Sequence, residues 1–313
     1  MNHKCIGKII KEYRVRAGMS RKELAENICS EKYVYFIEKC ERSPSVDMTR
    51  MLGDKLGVDL FEYCEYIDCI DPIEVNETIK LFNKYRAENN LAKLKEETDA
   101  AMLFPDFNNK PWIYEIEINR IFYMALKENK PEEAIKNICN LLKQIEPKYT
   151  NGIWIASAYA LLSMCYQMKN DFKKAKEAIL PACVIIKGKQ GILKYSQVII
   201  TVKLTCITML YACRRFDETI EECKLLIKYQ TDMSAYERLH YTFFYIAFAF
   251  YDKGMREEGI RWFEKALSAG VFRYKPTDIY YISLNKTFGL LMADERLPRE
   301  LITAFKKMYN EPA

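Results

Sequence analysis

The N-terminal fold is decided by residues 6–58, IGKIIKEYRVRAGMSRKELAENICSEKYVYFIEKCERSPSVDMTRMLGDKLGV. Apolar residues recur at helical spacing in four short segments of this stretch. Ser20, with Glu23 three residues later, is the S-x-x-E capping box that begins a helix, and Ser30 is placed to cap the next segment. Gly18 and Gly57 suit the left-handed residue that follows a helix. We therefore predict four short helices, with a tight turn between the second and the third.

A short helix, a tight turn and a second short helix form the helix-turn-helix motif. The stretch resembles the helix-turn-helix of phage repressors and of many bacterial regulators in a set of marks: Arg14, Leu24-Ala25, Ser30, Ile37-Glu38, Pro44 and Leu56-Gly57. The resemblance implies that residues 30–39 form the recognition helix, which lies in the major groove of double-stranded DNA. It also implies DNA contacts from eight residues: Arg21, Ser30, Glu31, Lys32, Tyr35, Phe36, Lys39 and Arg42.

The side chains of this set have the chemistry that DNA contacts require. Lys32 can donate to guanine O6 and N7, Glu31 can accept from cytosine N4, and the ring of Tyr35 or Phe36 can contact a thymine methyl. The other cations are expected at phosphates, namely Arg21, Lys39 and Arg42. Residues 1–50 contain eleven Lys and Arg against seven Asp and Glu, so most of the net charge of +5 lies there. The alternative interpretation is a solvated charged face that contacts no nucleic acid.

Two residues depart from the family pattern. Cys40 stands where the family commonly has glycine, so a residue that tolerates positive φ poorly is expected to make the turn after the recognition helix. Glu31 replaces a residue that is usually neutral or basic, which would narrow the operator sequence or weaken the attraction to phosphate. Neither change is expected to remove the fold.

Length and composition predict an all-α protein with two domains. A chain of 313 residues suits one small and one larger domain or a repeat array. Half of the residues are hydrophobic, 29% are charged, and Gly and Pro number only 11 and 10, which favours packed helices over turn-rich β structure. We predict a helix-turn-helix domain at residues 1–66, a linker at 67–72 and a repeat domain at 73–313.

The sequence predicts a cytoplasmic protein without a membrane partner. Charged residues interrupt the first apolar positions after Met1, so no signal peptide is expected. The apolar stretch at 241–251 is about half of the ~20 residues that a membrane span needs, and the stretch at 198–212 contains Lys203. Both stretches are predicted to be buried helices.

The cysteines and histidines do not predict a metal site or any other cofactor. The eleven cysteines are scattered at helical positions, so we expect reduced thiols that pack in the core. His3 and His240 are far apart in the sequence, and Cys64 and Cys69 form an isolated pair. Zinc requires a cluster of thiolates or imidazoles, which this spacing does not supply.

One site recurs along the second part of the chain. Ala134, Ala175, Thr219 and Gly259 occupy it at intervals of 41, 44 and 40 residues, which indicates repeated helix pairs. Residues 159–182, YALLSMCYQMKNDFKKAKEAILPA, resemble the tetratricopeptide pattern, although the intervals exceed its usual length of about 34 residues. We predict about five helix pairs from Ile73 onward, stacked as a right-handed solenoid with a concave wall.

The first helix of each pair is expected to line the concave wall. Amides there can pair with the backbone of an extended peptide, and rings and Met can form pockets for its side chains. The expected peptide-contacting residues are Asn119, Tyr123, Met164, Gln167, Thr208, Tyr211, Tyr241, Phe244 and Phe248, with Ser157 and Tyr251 on the same wall. The alternative interpretation is that this aromatic stripe is core between helices.

The combination of a helix-turn-helix with about five tetratricopeptide-like pairs is similar to the Rgg, PlcR and PrgX regulators of low-GC Gram-positive bacteria, the RRNPP family. The resemblance implies a cytoplasmic homodimer that takes part in quorum sensing. It implies that a short, re-imported signalling peptide binds in the groove and changes the hold on operator DNA. The segment from Cys64 to Pro72 would couple the two sites.

Two other functions stay open at this stage. A tetratricopeptide-like scaffold could use the N-terminal helices to dock a protein, in which case duplex DNA would not bind with steep salt dependence. An enzyme is disfavoured, because the sequence has no Gly-rich phosphate loop, nucleophile elbow or metal triad and only two histidines as general bases.

Overall fold

The computed structural model describes residues 5–271, and this part consists of α-helices and short 3-10 helices without a β-strand. The first four helices are α1 (Gly7–Arg16), α2 (Arg21–Ala25), α3 (Glu31–Glu38) and α4 (Val46–Leu56). The others are α5 (Pro72–Ala87), α6 (Leu91–Ala101), α7 (Trp112–Leu126), α8 (Pro131–Gln144), α9 (Ile153–Met168), α10 (Phe172–Lys187), α11 (Ser196–Ala212), α12 (Phe216–Asp232), α13 (Leu239–Asp252) and α14 (Arg256–Val271). The 3-10 helices are Leu60–Glu65, Pro105–Asn108, Pro147–Tyr149 and Leu193–Tyr195. The prediction of an all-α protein is confirmed.

The described residues divide into two compact units. The first unit comprises residues 5–82 and 99–113, and the second comprises 83–98 and 114–271. The predicted linker at 67–72 and the domain bounds on either side of it stay predictions. The predicted repeat domain extends to residue 313, and its part from 272 onward lies outside the described residues, as does His3.

The helix ends of the first unit are fixed by local hydrogen bonds. The Ser20 hydroxyl accepts from the Glu23 amide at 3.1 Å, and the Glu23 carboxylate accepts from the Ser20 amide at 2.7 Å, which completes the predicted capping box. The Ser30 hydroxyl accepts from the Tyr33 amide at 3.2 Å and begins α3. Gly57 ends α4 with a φ of +69°. These short-range signals therefore produce the four helices predicted from the sequence.

The four helices enclose one apolar core. Seven of its side chains are at most 1% exposed: Ile9, Ile10, Leu24, Val34, Ile37, Leu52 and, from the 3-10 helix that follows α4, Leu60. Removing a side chain of this size from water stabilises the fold by roughly 1.5–3 kcal/mol. Val34 and Ile37 belong to α3, so the core fixes which face of α3 points outward.

The turn after α3 corrects one expectation and confirms another. Cys40 has a φ of +60°, as predicted from its place at a family glycine. The prediction that all cysteines are reduced is wrong for Cys40, which forms a disulfide with Cys5. A Cβ on Gly7 would lie 1.8 Å from the Ile37 carbonyl oxygen, so α1 approaches the end of α3 closely. This approach brings the two Cα atoms within 5.7 Å, a distance that suits a disulfide.

The second unit is built from consecutive helix pairs. Within it, α9 packs on α10, α11 on α12 and α13 on α14. The recurring site lies early in the second helix of each pair, where Ala134, Ala175 and Thr219 are fully buried. At Gly259, a Cβ would meet the Tyr251 backbone nitrogen at 3.0 Å, so the helices of that pair leave no room for a side chain. The described part of the chain contains the helices α5 to α14, and the three packed pairs from α9 to α14 agree with the predicted repeat architecture.

One stretch of the second unit is apolar enough to be tested as a membrane span. Leu193–Ala212 meets the criteria of length and hydropathy, and 61% of its apolar window is buried inside the protein. The most buried residues of α11 include Ile200, Val202 and Ile207, which pack into the cores that α11 shares with its neighbours. A buried core helix passes the same criteria, so this stretch supplies only weak evidence for a span.

Candidate functional site

The outer face of α3 presents cations and aromatic rings together. We define the α3 face as Glu31, Lys32, Tyr35, Phe36 and Lys39. Glu31, Lys32 and Lys39 are exposed, and the Tyr35 side chain is 40% exposed. The Lys32 ammonium lies 5.8 Å from the centre of the Phe36 ring, and the Lys39 ammonium lies 5.9 Å from that of Tyr35. These distances are within the range of cation–π attraction.

Two of the other predicted DNA-contacting residues border this face. The Ser30 hydroxyl caps α3, so its acceptor capacity is partly used by the Tyr33 amide. Arg42 is exposed, and its guanidinium lies 5.8 Å from the Tyr33 ring and 5.9 Å from the Phe36 ring. The sequence thus predicted a set of residues that the first unit does bring together on one surface.

Arg21, the remaining member of the set, belongs to a buried ionic network. Its Nε donates to Glu38 at 2.7 Å, and the Nε of Arg14 donates to the other oxygen of the same carboxylate at 2.5 Å. Burial raises the pKa of Glu38, but hydrogen bonds and charge from Arg14 and Arg21 outweigh it and hold the pKa below its ordinary value. Arg21 is therefore committed to a partner inside the protein, while 34% of its side chain stays exposed.

The second unit contains a cavity of about 280 Å³, which lies among the first helices of successive helix pairs. The end of α5 contributes to its wall together with α7, α9, α11 and α13. Most of the lining is aliphatic or aromatic, as at Ile118, Phe122 and Leu161. Hydroxyl and amide groups interrupt the apolar wall at Ser157, Gln197, Thr201 and Thr208. The cavity is thus mostly apolar with a few polar groups, which is the composition of small-ligand sites.

Two arginines line this cavity and differ in how their charge is balanced. Arg86 donates to Glu115 at 2.7 Å, and the two side chains are only 8% and 3% exposed. Arg238 donates from Nη1 to the Thr201 hydroxyl at 3.0 Å, and its guanidinium lies 5.6 Å from the Tyr241 ring. The Nε of Arg238 is buried without a hydrogen-bond acceptor. Among the described residues, Arg238 has no carboxylate partner.

Tyr245 adds a neutral hydroxyl to the same wall. Burial and the neighbouring Tyr241 raise the pKa of Tyr245 to about 12, although the charge of Arg238 opposes this rise. The phenol therefore stays protonated at neutral pH and does not balance the charge of Arg238.

Three of the predicted peptide-contacting residues line the cavity, namely Met164, Thr208 and Tyr241, and so does Ser157. The nine residues all lie on the first helices of their pairs, as predicted. Six of the nine are placed elsewhere: Asn119, Tyr123, Gln167, Tyr211, Phe244 and Phe248. Their role as ligand contacts stays a prediction.

The side chains outside the cavity have partners within the second unit. Asn119 is 1% exposed and donates to the Thr98 hydroxyl at 3.1 Å. The Gln167 amide donates to the Thr205 carbonyl at 3.2 Å and accepts from the Thr208 hydroxyl at 2.9 Å. The Tyr211 hydroxyl donates to the carboxylate of Asp252 at 2.6 Å.

The rings at the far end of α13 pack into core. Phe244 is 6% exposed, and it and Phe248 contact the buried Phe263 of α14, with ring centres 6.3 and 5.0 Å apart. Tyr123 on α7 is half-buried. These contacts of Phe244 and Phe248 agree with the alternative interpretation, in which the aromatic stripe is core between helices.

The sequence prediction omitted Arg86 and Arg238. A usable signal was present for Arg238, because it directly precedes the apolar stretch LHYTFFYIAFAFYD of α13. A cation at the start of a helix that is otherwise buried requires an explanation. Arg86 gave no such signal, since it stands among other polar residues at the end of α5.

Comparisons with known proteins agree with both parts of the fold. Residues 10–63 match the helix-turn-helix family HTH_3. No curated protein matches the sequence. The structure of Bacillus thuringiensis PlcR in complex with the peptide PapR7 and DNA matches with a TM-score of 0.63 and 16% identity, covering 98% of this chain and 100% of that chain. A protein of Listeria monocytogenes EGD-e, assigned as a transcriptional regulator, matches with a TM-score of 0.52 and 13% identity over 100% of both chains.

The family match concerns the first unit, whereas the structural matches concern the whole chain. The helix-turn-helix match contains all of α2, α3 and α4, and therefore the α3 face. The PlcR structure contains a peptide and DNA, and the Listeria protein is assigned as a transcriptional regulator. The resemblance to the RRNPP regulators that the sequence predicted is confirmed for the fold. The chain thus contains a helix-turn-helix segment and has, over nearly its full length, a fold similar to that of PlcR.

Proposed function

We propose that this protein is a peptide-responsive transcription regulator of the quorum-sensing type. In this proposal the α3 face binds operator DNA, and a short signalling peptide binds in the second unit and changes the affinity for DNA. The observation that carries the proposal is the exposed α3 face inside a segment that matches a helix-turn-helix family.

The α3 face supports contact with a major groove. Lys32 and Glu31 stand in the first turn of α3, which is the part of a recognition helix that reaches base edges. Lys39 and Arg42 follow at its end, where a cation suits a phosphate. The Tyr35 and Phe36 rings supply apolar surface for a thymine methyl.

The cavity of the second unit supports a peptide that carries a carboxylate. Its apolar wall suits side chains, and its hydroxyl and amide groups suit a peptide backbone. The Nε of Arg238 has no acceptor, so a ligand carboxylate would supply the missing hydrogen bond and the missing negative charge. The free C-terminus of a peptide and an acidic side chain are the two sources of such a group.

The protein acts in this proposal as a cytoplasmic homodimer. Two recognition helices in a symmetric dimer read half-sites about one DNA turn apart. A peptide that binds one dimer arrangement more tightly shifts the equilibrium toward it, and the spacing of the recognition helices changes with it. PlcR, which shares the fold, was solved with both a peptide and DNA. Sedimentation of the full chain tests the dimer directly.

The DNA part is tested by selecting duplexes from a random library with the full-length protein. We expect enrichment of paired half-sites, followed by binding that weakens steeply as salt rises, because phosphate contacts release counterions. No enrichment over random duplex at moderate salt would reject the proposal. It would favour the alternative in which the N-terminal helices dock a protein.

The peptide part is tested with a positional library of synthetic heptapeptides, prepared both as free acids and as C-terminal amides. We expect the full-length protein to retain a subset of sequences, identified by mass spectrometry. Retention of acids alone assigns the carboxylate to the C-terminus, whereas retention of both forms only when Asp or Glu is present assigns it to a side chain. If no peptide is retained, the sensor part of the proposal is wrong.

A further inference from the structure

Two cysteines of the second unit face each other across neighbouring helices. Cys183 on α10 and Cys206 on α11 have their Sγ atoms 3.6 Å apart, and both residues are partly exposed. They border the core that α9, α10 and α11 share, next to Ala182 and Val202. A disulfide requires about 2.05 Å between sulfurs, so the two Sγ atoms would have to approach each other by about 1.5 Å to form one.

The charged groups beside this pair lie on α11 and α12. Lys203, one helical turn before Cys206, bonds from its Nζ to Glu222 at 3.3 Å. The hydrogen bond from Cys206 lowers the pKa of Cys183 to about 7, with help from the charge of Lys203 and against the effects of burial and of Glu222. The same contact, with burial, raises the pKa of Cys206. One sulfur of the pair is thus the better nucleophile and the other is the proton donor.

The other thiols of the second unit do not share this arrangement. Burial raises the pKa of Cys165 to about 12 and also raises that of Cys223, and both side chains are fully buried. Cys213 is exposed, and Cys139 is partly exposed. Among the described thiols, Cys183 and Cys206 are the pair that combines contact between sulfurs with access to solvent.

We propose that Cys183 and Cys206 form a dithiol site that hydroperoxides oxidise to a disulfide. The Cys183 thiolate attacks one oxygen of the hydroperoxide, the O–O bond breaks, and Cys183 becomes a sulfenic acid while hydroxide or alkoxide leaves. The Cys206 sulfur then attacks the Cys183 sulfur, the S–O bond breaks, and water leaves with the Cys206 proton. Together the two thiols lose two electrons, and the hydroperoxide is reduced to water or to water and an alcohol.

The product joins α10 to α11 covalently. α11 supplies six residues of the cavity wall, among them Thr201, Leu204 and Thr205, and Thr205 directly precedes Cys206. Oxidation would therefore restrain a helix that forms the cavity. The dithiol site is inferred from the sulfur contact and its surroundings, and it does not depend on the proposed function.

The experiment exposes the reduced full-length protein to increasing hydrogen peroxide. Free thiols are then blocked with one alkylating agent, disulfides are reduced and labelled with a second, and each cysteine is located by peptide mapping. We expect Cys183 and Cys206 to acquire the second label together, at a peroxide dose that leaves Cys213 and Cys139 with the first label. Peptides cross-linked through Cys183 and Cys206 should appear before reduction and disappear after it.

Two variants separate the roles of the sulfurs. In Cys206→Ser, Cys183 should accumulate as a sulfenic acid that dimedone traps, because the resolving thiol is missing. In Cys183→Ser, Cys206 should stay reduced at the same dose. Oxidation of Cys213 before the pair, or a wild-type protein in which Cys183 and Cys206 stay reduced while other thiols react, would overturn the proposal. The wild-type mapping decides the matter even where a variant fails to fold.

Discussion

Two arginine sites, one in each unit, differ in how the positive charge is balanced. In the first unit, Arg14 and Arg21 converge on Glu38, whose two oxygens both accept hydrogen bonds. In the second unit, Arg238 reaches a cavity with one hydroxyl as acceptor and leaves its Nε without one. The balanced network holds α1, α2 and α3 together, and the α3 face that is proposed to bind DNA lies outside this network. In the proposed function, the acceptor that Arg238 lacks is supplied by a ligand.

The largest expected effect tests the balanced side of this comparison. Glu38→Ala should destabilise the first unit by about 3 kcal/mol, because it leaves Arg14 buried without a counter-charge and Arg21 is only partly exposed. Amide hydrogen exchange of α1 to α4 in increasing urea measures the loss, and Glu41→Ala on the exposed surface is the control. Equal stability of the two variants would show that the network contributes little.

The same network predicts a pH dependence. The pKa of Glu38 is lower in the folded protein than in the unfolded chain, so its contribution is complete above the unfolded value of about 4.3. It is lost as the pH falls through the folded pKa. The difference in stability between wild type and Glu38→Gln should therefore shrink below about pH 4. A constant difference would mean that Glu38 is not the titrating partner.

The next largest effect tests Arg238, whose positive charge has no carboxylate partner among the described residues. Arg238→Gln should reduce the affinity for retained peptide acids by roughly tenfold to a hundredfold, the value of a hydrogen bond to a charged group. The change removes the hydrogen bond to Thr201 and the contact with the Tyr241 ring but breaks no ion pair, so the protein should still fold. Isothermal titration with a retained peptide measures it, and Arg261→Gln on the exposed part of α14 is the control. Unchanged affinity would remove Arg238 from the ligand site.

The third effect concerns the surface outside the balanced network. Lys32→Ala should weaken binding to the selected operator by about tenfold and relax its sequence preference, because a base contact contributes roughly 1–3 kcal/mol. Peptide affinity should not change. Fluorescence anisotropy on operator and random duplexes measures both quantities, with Lys176→Ala in the second unit as the matched lysine control. Loss of peptide binding together with DNA binding would refute the separation of the two sites.

The smallest effect concerns the start of α2. Ser20→Ala removes the acceptor of the Glu23 amide and should cost about 1 kcal/mol, without altering peptide binding. Thermal unfolding of the first unit measures it. Lys22→Ala, an exposed change on the same short helix, serves as the comparison.

Local signals in the sequence were sufficient to predict the helices of the first unit. The caps at Ser20 and Ser30 and the glycine at 57 act within a few residues of themselves, so their outcome is visible in the chain order. The disulfide of Cys5 with Cys40 was not visible, because 35 residues separate the cysteines and the close passage of α1 at Gly7 brings them together.

The lining of the cavity in the second unit was harder to predict, because it also depends on residues that are far apart in the sequence. Helical periodicity placed Asn119 on a first helix correctly, but it did not say which neighbouring helix its side chain meets. The contact with Thr98 of α6, and the gathering of Arg86 and Arg238 at one cavity, arise from residues far apart in the chain. Repeats specify the helix pairs, whereas the polar contents of a cavity depend on several pairs at once.

The rings beneath the basic side chains of the α3 face have a consequence for how fast this face would dock on DNA. Lys32 and Arg42 each lie against Phe36, and Lys39 lies against Tyr35. A long side chain that already rests on a ring surrenders less rotamer entropy when it docks. Phe36 is therefore expected to act as a preorganising platform, so that its replacement by Leu would slow docking on operator and random duplexes, in addition to any loss of contact with a thymine methyl.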